Sequence, residues 1–285
     1  MQLPPGFVGH HVRTYGSEID TVDADLRIED LAERLADVGF SHHGHHRSRS
    51  RRACYVSNVD PLAGSQWSAP GTVAGFAQSA PNAVLMAFAE EELKRSMGGR
   101  VLDIGCGAGR NALPLARLGW NVVGTDLSWP MLCAAASRTH EQGLDARLLV
   151  VLSPMERIPA RDRSFDLVVA HGIWNLARSA AQFRCALDEA ARVAKPGAGL
   201  FVFTFSRNTL PPRIAPVAGE PFVFTQFSGE PQCFLTETQL DAELGRVGFV
   251  RDPGVSFHEY NLPKPGTLST GTVPVIYEAA FRREA

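Results

Sequence analysis

Two carboxylates flank the stretch of this 285-residue chain best suited to chemistry. Asp103 ends the short apolar run 100–104 and stands just before Gly105, Cys106, Gly107, Ala108 and Gly109; Asp126 follows the next apolar run, 120–125. Glycines placed directly after a strand and before a helix allow a tight turn and bring backbone N–H groups close to a ligand. Many nucleotide sites share such a loop, so the glycines alone do not choose among them. The spacing here is G-x-G-x-G, with Arg110 where the dinucleotide fingerprint has its last Gly or Ala. Asp103 would repel a pyrophosphate, whereas a nearby ammonium group would stabilise its charge. Asp126, about 20 residues beyond the loop, can accept both hydroxyls of a ribose. Its alternative reading is the N-cap of the helix that follows.

S-adenosylmethionine carries an ammonium, a positive sulfonium and no phosphate, and is the ligand these charges favour. Methyl transfer from it is an in-line displacement, so a protein must mainly align the groups and exclude water. A general base is needed only where the acceptor arrives protonated. His171 is the best-placed ionisable candidate, because ligands sit at the ends of parallel strands; it reads equally as a satisfied histidine beside the cofactor. Trp174 and Asn175 on the same loop are candidate acceptor contacts, with core packing the alternative for Trp174. His258 and Tyr260 alternate on one strand face and either meet the acceptor or cap the sheet. Trp67 and Phe76 are candidates for a lid over the cofactor. Cys106 reads as a small packing residue rather than a nucleophile.

These residues need a frame. Short, nearly continuous apolar strands at 100–104, 120–125, 147–152, 165–170 and 200–205 alternate with helical stretches at 83–96, 111–118, 130–141 and 180–193. That alternation specifies an α/β, doubly wound, mostly parallel sheet with helices on both faces. Two further strands, 255–262 and 272–282, have no helix between them and should pair as an antiparallel hairpin, giving a seven-stranded sheet. Thr236-Glu237-Thr238-Gln239 has the capping-box form and starts a helix that stops at Gly248. Residues 206–235, rich in proline, glycine and phenylalanine, are long for a plain connection and read as a substrate lid or insert. Phe222, Phe224, Phe227 and Phe234 would supply an apolar acceptor pocket. The main domain spans 66–285. Residues 1–65 form an extension with one amphipathic helix, 24–38, and a linker rich in histidine and arginine, 42–52. No carboxylate or cysteine closely accompanies His42, His43, His45 and His46, so a solvated linker is favoured and no metal site is expected.

The segment 101–128, VLDIGCGAGRNALPLARLGWNVVGTDLS, resembles the cofactor half of the class I (Rossmann-like) S-adenosylmethionine-dependent methyltransferases. Met155-Glu156-Arg157-Ile158-Pro159, residues 164–170 and residues 191–197 resemble later blocks of the same family. The resemblance covers about 67–285. It implies that Asp103, Gly105 and Gly107 hold the methionine part and Asp126 the ribose, with Cys106, Gly109 and Leu127 also in the cofactor-binding set. By the same resemblance Met155 and Glu156 flank the adenine, and His171 lies near the transferring methyl. The family often has an aspartate where Pro154 stands, so adenine recognition departs from the pattern.

A net charge of −2 does not call for nucleic acid or an anionic membrane. The expected partner is a small-molecule methyl acceptor reacting at O, N, S or a similar nucleophile. An RNA or protein acceptor is the alternative, kept open by the arginines of 47–52, and a non-catalytic cofactor-binding protein is a third reading. Five scattered cysteines without a C-x-x-C, no signal-peptide pattern and no membrane-length apolar run point to a cytoplasmic protein.

Overall fold

The computed structural model describes residues 12–14, 60–96, 99–262 and 273–284. The expected helix at 24–38 and the histidine cluster at 42–46 lie outside the described residues. Val12–Thr14 (β1) runs parallel to Leu148–Leu152 (β4) at one sheet edge. The sheet continues through Asn121–Asp126 (β3), Arg100–Ile104 (β2), Phe165–His171 (β5) and Ala194–Phe205 (β6), all parallel. Ile276–Arg283 (β11) then inserts antiparallel between β6 and His258–Tyr260 (β10), which completes the expected hairpin. The sheet has nine strands among the described residues, where the sequence suggests seven. The additions are β1 and the short Phe249–Arg251 (β9), which pairs with β11. Neither is long enough to show a periodicity of its own.

Both sheet faces are covered, as the apolar strands require. Pro70–Gln78 (α1), Ala83–Arg95 (α2), Ala112–Leu118 (α3) and Trp129–Glu141 (α4) precede β4 in the chain. α2, α3 and α4 bury Leu85, Leu113 and Leu132 on the side of Val101, Val169 and Phe201. Ala180–Val193 (α5) and Glu237–Arg246 (α6) bury Phe183 and Leu240 on the opposite side, with Leu102, Val168 and Val202. The capping box of α6 forms as the sequence specifies, Thr236 and Gln239 each satisfying the other's backbone N–H. Two boundaries differ from expectation. β6 begins at Ala194, directly after α5, because the Lys195-Pro196-Gly197 stretch is absorbed as an irregularity in the pairing with β5 instead of ending as a free turn. Helix α1 carries no helical signature in the sequence, since Gly71 and Gly75 lower its propensity and Pro70 suits only its first position; it is held by packing near α4.

Residues 206–235 form an ordered insert around the two-stranded hairpin Val223–Phe224 (β7) and Gln232–Cys233 (β8). Phe224 and Phe234 pack with Leu210 into a small core of the insert's own, and Phe222 packs edge-on against Phe183 of α5. The phenylalanines therefore largely anchor the insert, and only Phe227 among the four is half-exposed. Among the described residues no helix is long and apolar enough to cross a membrane.

A buried ionic knot closes the far end of the sheet. Arg282 of β11 donates to both oxygens of Glu92 on α2 at 2.7 and 2.9 Å, to Asp252 at 2.8 Å and to the Gly197 carbonyl. Both carboxylate side chains are only 5% exposed. Arg282→Ala would leave Asp252 without its cation and Glu92 with Arg95 alone, at 3.0 Å, so it should cost about 3 kcal/mol in urea unfolding; a loss under about 1 kcal/mol would show the knot to be dispensable.

Candidate functional site

The glycine loop is held by the end of β3. Gly105 and Cys106 donate their N–H groups to the Thr125 carbonyl at 2.7 and 2.9 Å, and Gly107 donates to the Asp126 carboxylate at 2.9 Å. The other oxygen of Asp126 accepts the Ser128 N–H at 2.8 Å. The helix-cap alternative for Asp126 does not hold: Ser128 caps α4, its hydroxyl accepting from the Met131 N–H. Gly105 has φ +71°, and a Cβ there would lie 2.8 Å from the Ile173 side chain, so a larger residue would collide with the loop after β5. Cys106 is a packing residue as expected. Its sulfur fills the space beside Gly124, and burial pushes its thiol well up, against reactivity.

Register places the remaining candidates on one face. Asp103 pairs with Gly124 and Val169, and His171 pairs with Phe203, which pairs with Glu278, which pairs with His258. Paired residues share a face, and so do residues two apart along a strand. Asp103, Asp126, His171 and Glu278 therefore gather on the α2 side, near the C-terminal edge of the parallel strands. Asp103 is 1% exposed, and its Oδ2 has no hydrogen-bond partner among the described residues. Burial pushes its carboxyl up to about 7, with the Arg110 charge opposing and the Asp126 charge adding. Burial also raises Asp126, against the N–H groups of Ser128, Gly107 and Leu127.

His171 stacks on Phe203, with ring centroids 4.1 Å apart, and Arg110 Nη2 lies 2.9 and 3.0 Å from its two ring nitrogens. Burial and the adjacent guanidinium push the imidazole down to about 3, so it is neutral at physiological pH. Beyond it a polar chain crosses the sheet. Asn82 Nδ2 lies 3.3 Å from His171 Nε2 and donates to Glu278 Oε2 at 2.6 Å; Tyr260 donates its hydroxyl to Glu278 Oε1 at 2.6 Å. Asn82 also caps α2, accepting from the Leu85 N–H.

A methyltransferase-domain family model matches residues 101–197, the stretch from β2 to the start of β6. The chain is 31% identical over 177 residues to a ubiquinone/menaquinone biosynthesis C-methyltransferase of Geobacter sulfurreducens, covering 55% of this chain and 67% of the relative. The chain belongs to the S-adenosylmethionine-dependent methyltransferases. It is also 28% identical over 207 residues to a ubiquinone biosynthesis O-methyltransferase of Azorhizobium caulinodans, covering 68% of this chain and 79% of that one. A solved S-adenosylmethionine-dependent methyltransferase from Methanosarcina mazei shares the fold, with a TM-score of 0.54 at 20% identity over 72% of this chain and 99% of that one.

The buried Asp103 carboxylate, one oxygen of which has no partner among the described residues, suits the ammonium end of this methyltransferase's cofactor. The other expected residues distribute unevenly around it. Leu127 is half-buried beside Asp126, and Met155 is buried in the core. Glu156 accepts from Gln182 of α5 at 3.2 Å. Trp174 is 1% exposed and packs edge-on against Phe183, in line with its packing alternative. Asn175 is buried beside it, and the Trp174 N–H and the Asn175 Oδ1 both lack partners among the described residues. Tyr260 joins the polar chain, whereas His258 is exposed, its ring 5.8 Å from Tyr260. Phe76 of α1 lies over the loop, 3.6 Å from where a Gly107 Cβ would be, and meets Trp67 edge-on at 6.1 Å. Asn82 and Glu278 went unnoticed in the sequence. A lone glutamate in the apolar run 275–281 is the available signal for Glu278; Asn82, directly before a helical stretch, carries no local sign of a partner at position 278.

His171's depressed ionisation has a sign that can be measured. A folded value near 3, below the ordinary 6.5, means that the unfolded chain binds the extra proton. This group's contribution to stability is present above about pH 6.5 and is lost as pH falls towards 3. In NMR titrations the His171 imidazole signals should stay flat from pH 8 to about 5; a midpoint near neutrality would contradict the burial argument.

Proposed function

We propose that this chain transfers the methyl group of S-adenosylmethionine to a small molecule at oxygen, nitrogen, sulfur or a comparable nucleophile. The observation that carries the reading is the buried Asp103 carboxylate, one oxygen unpartnered, on the same face as Asp126 at the mouth of the glycine loop. When bound, S-adenosylmethionine supplies a methyl on a sulfonium, already joined to a good leaving group. Asp103 holds the ammonium and Asp126 the ribose hydroxyls, while Gly105, Cys106, Gly107 and Gly109 let the chain approach closely. Leu127 and Met155 give apolar walls to the adenine, with Glu156 at its rim. Phe76 and Trp67 exclude water from above.

On the acceptor side, the neutral His171 works as a positioning group, since an imidazole held near 3 is a feeble base at pH 7. Tyr260, kept protonated by its bond to Glu278 and pushed up to about 12, offers the acceptor an oxygen lone pair. Asn175 and the insert 206–235 bound the acceptor space. The names of the relatives, quinone-biosynthesis O- and C-methyltransferases, support a small acceptor. The absence of a basic stripe in the sequence outside 47–52 weighs against RNA.

The deciding assay follows S-adenosylhomocysteine formation against thiols, phenols, amines, halides and tRNA. Turnover with a small nucleophile is expected. Transfer to tRNA alone would overturn the small-molecule reading, and binding without turnover across the panel would favour a non-catalytic role.

Asp103 makes a second prediction. Its folded value near 7 lies above the ordinary 3.8, so in the free protein this group favours folding most below about pH 4 and loses that contribution as pH rises through 7. An ammonium beside it restores the charged form, so cofactor binding at pH 6 should release close to one proton, and none at pH 9. Calorimetry in buffers of different ionisation enthalpy reads this directly; proton uptake at pH 6, or no exchange, would remove Asp103 from the ammonium site.

A further inference from the structure

Arg110 directly follows the last loop glycine and leads into α3. Its guanidinium is buried enough to depress its own ionisation, yet among the described residues it has no carboxylate partner in an ion pair. Its nearest polar neighbours are the two nitrogens of one neutral imidazole. A neutral imidazole has one lone pair, so contact with both nitrogens is not a pair of hydrogen bonds. The cation rests on a His171–Phe203 stack that does not neutralise it. Asp103 and Arg110 influence each other's ionisation through space without forming an ion pair. Among the described residues the loop thus carries one anion with an unpartnered oxygen and one cation without an ion-pair partner, near enough to shift each other's ionisation. Buried charges left this way are costly, and a ligand bearing both opposite charges relieves both.

An amino acid's backbone end is such a ligand. We propose that Arg110 binds the carboxylate of the cofactor's methionine end, as the second arm of a clamp whose first arm is Asp103 on the ammonium. This rests on the cofactor reading above. A guanidinium fork suits a carboxylate better than it suits a ring edge, so binding draws Arg110 off His171, which keeps its stack on Phe203 and its contact with Asn82. The clamp would make the protein select an intact amino-acid end over nucleosides that lack one or either of its charges.

Calorimetric titration with S-adenosylhomocysteine and with its decarboxylated analogue, which keeps the ammonium, tests this without any acceptor. The native protein should prefer S-adenosylhomocysteine by about tenfold or more, the scale of one charge-assisted contact. Arg110→Gln should abolish that preference, weakening S-adenosylhomocysteine about tenfold while leaving the analogue within about twofold. Arg110→Lys should restore part of it, and Asp103→Asn should weaken both ligands. In NMR, Arg110→Gln should also raise the His171 midpoint, since the guanidinium helps to hold it down. Equal losses for both ligands in Arg110→Gln, or no preference in the native protein, would overturn the clamp. Failure of the native protein to bind either ligand would instead overturn the cofactor reading.

Discussion

The site depends on how the end of β3 grips the glycine loop. Three successive loop N–H groups, from Gly105 to Gly107, point away from their own turn and need outside acceptors. The Thr125 carbonyl takes two and the Asp126 carboxylate takes the third. β2 and β3 are neighbours in a parallel sheet buried on both faces, where a slip of one residue would turn every side chain over. Such a slip would carry Asp126 away from Gly107 and move Asp103 to the other face. Packing of the sheet and shaping of the cofactor cradle are therefore a single constraint.

That constraint explains what could be read in the sequence. The apolar runs leading to Asp103 and Asp126 carry both sheet order and cradle in a few contiguous residues, so strand, loop and ligand class were legible together. The capping box at Thr236 was legible for the same reason, because its partners lie three residues apart. The polar chain from His171 to Tyr260 was not. It joins Asn82 to Glu278 across 196 positions, and only the register of β5, β6, β11 and β10 brings them together. Helix α1 was hidden because Gly71 and Gly75 speak against it locally, and contacts with the rest of the fold overrule them. The phenylalanines of the insert showed the reverse weakness: composition marked them as apolar, but could not say whether they faced a ligand or one another.

Charge divides the site into two regions. Around the loop, burial raises the ionisation of Asp103 and of the half-buried Asp126, and the Asp126 charge adds to the cost at Asp103, an arrangement suited to a positively charged ligand and poor for an anionic one. Beyond His171 the groups are neutral or paired: a stacked imidazole and phenyl ring, an amide, a hydroxyl and a carboxylate fully engaged by two donors. The loop side carries unmet charge, and the neighbouring side satisfied polarity and aromatic surface. That contrast supports the proposed place of the methyl donor more sharply than any one acceptor.

The antiparallel insertion of β11 has a consequence for how the molecule is made. β6 and β10 both precede β11 in the chain, yet β11 lies between them. A polypeptide leaving the ribosome N-terminus first cannot close this sheet in the order of its synthesis. β6 must wait with a bare edge, and β10 has no seat of its own until the last strand slides in. An unpaired edge next to a hydrophobic face is a template for other chains. The interval between translating β6 and β11 is thus the period in which a nascent chain is most open to misassembly, and in which a chaperone covering that edge would matter most.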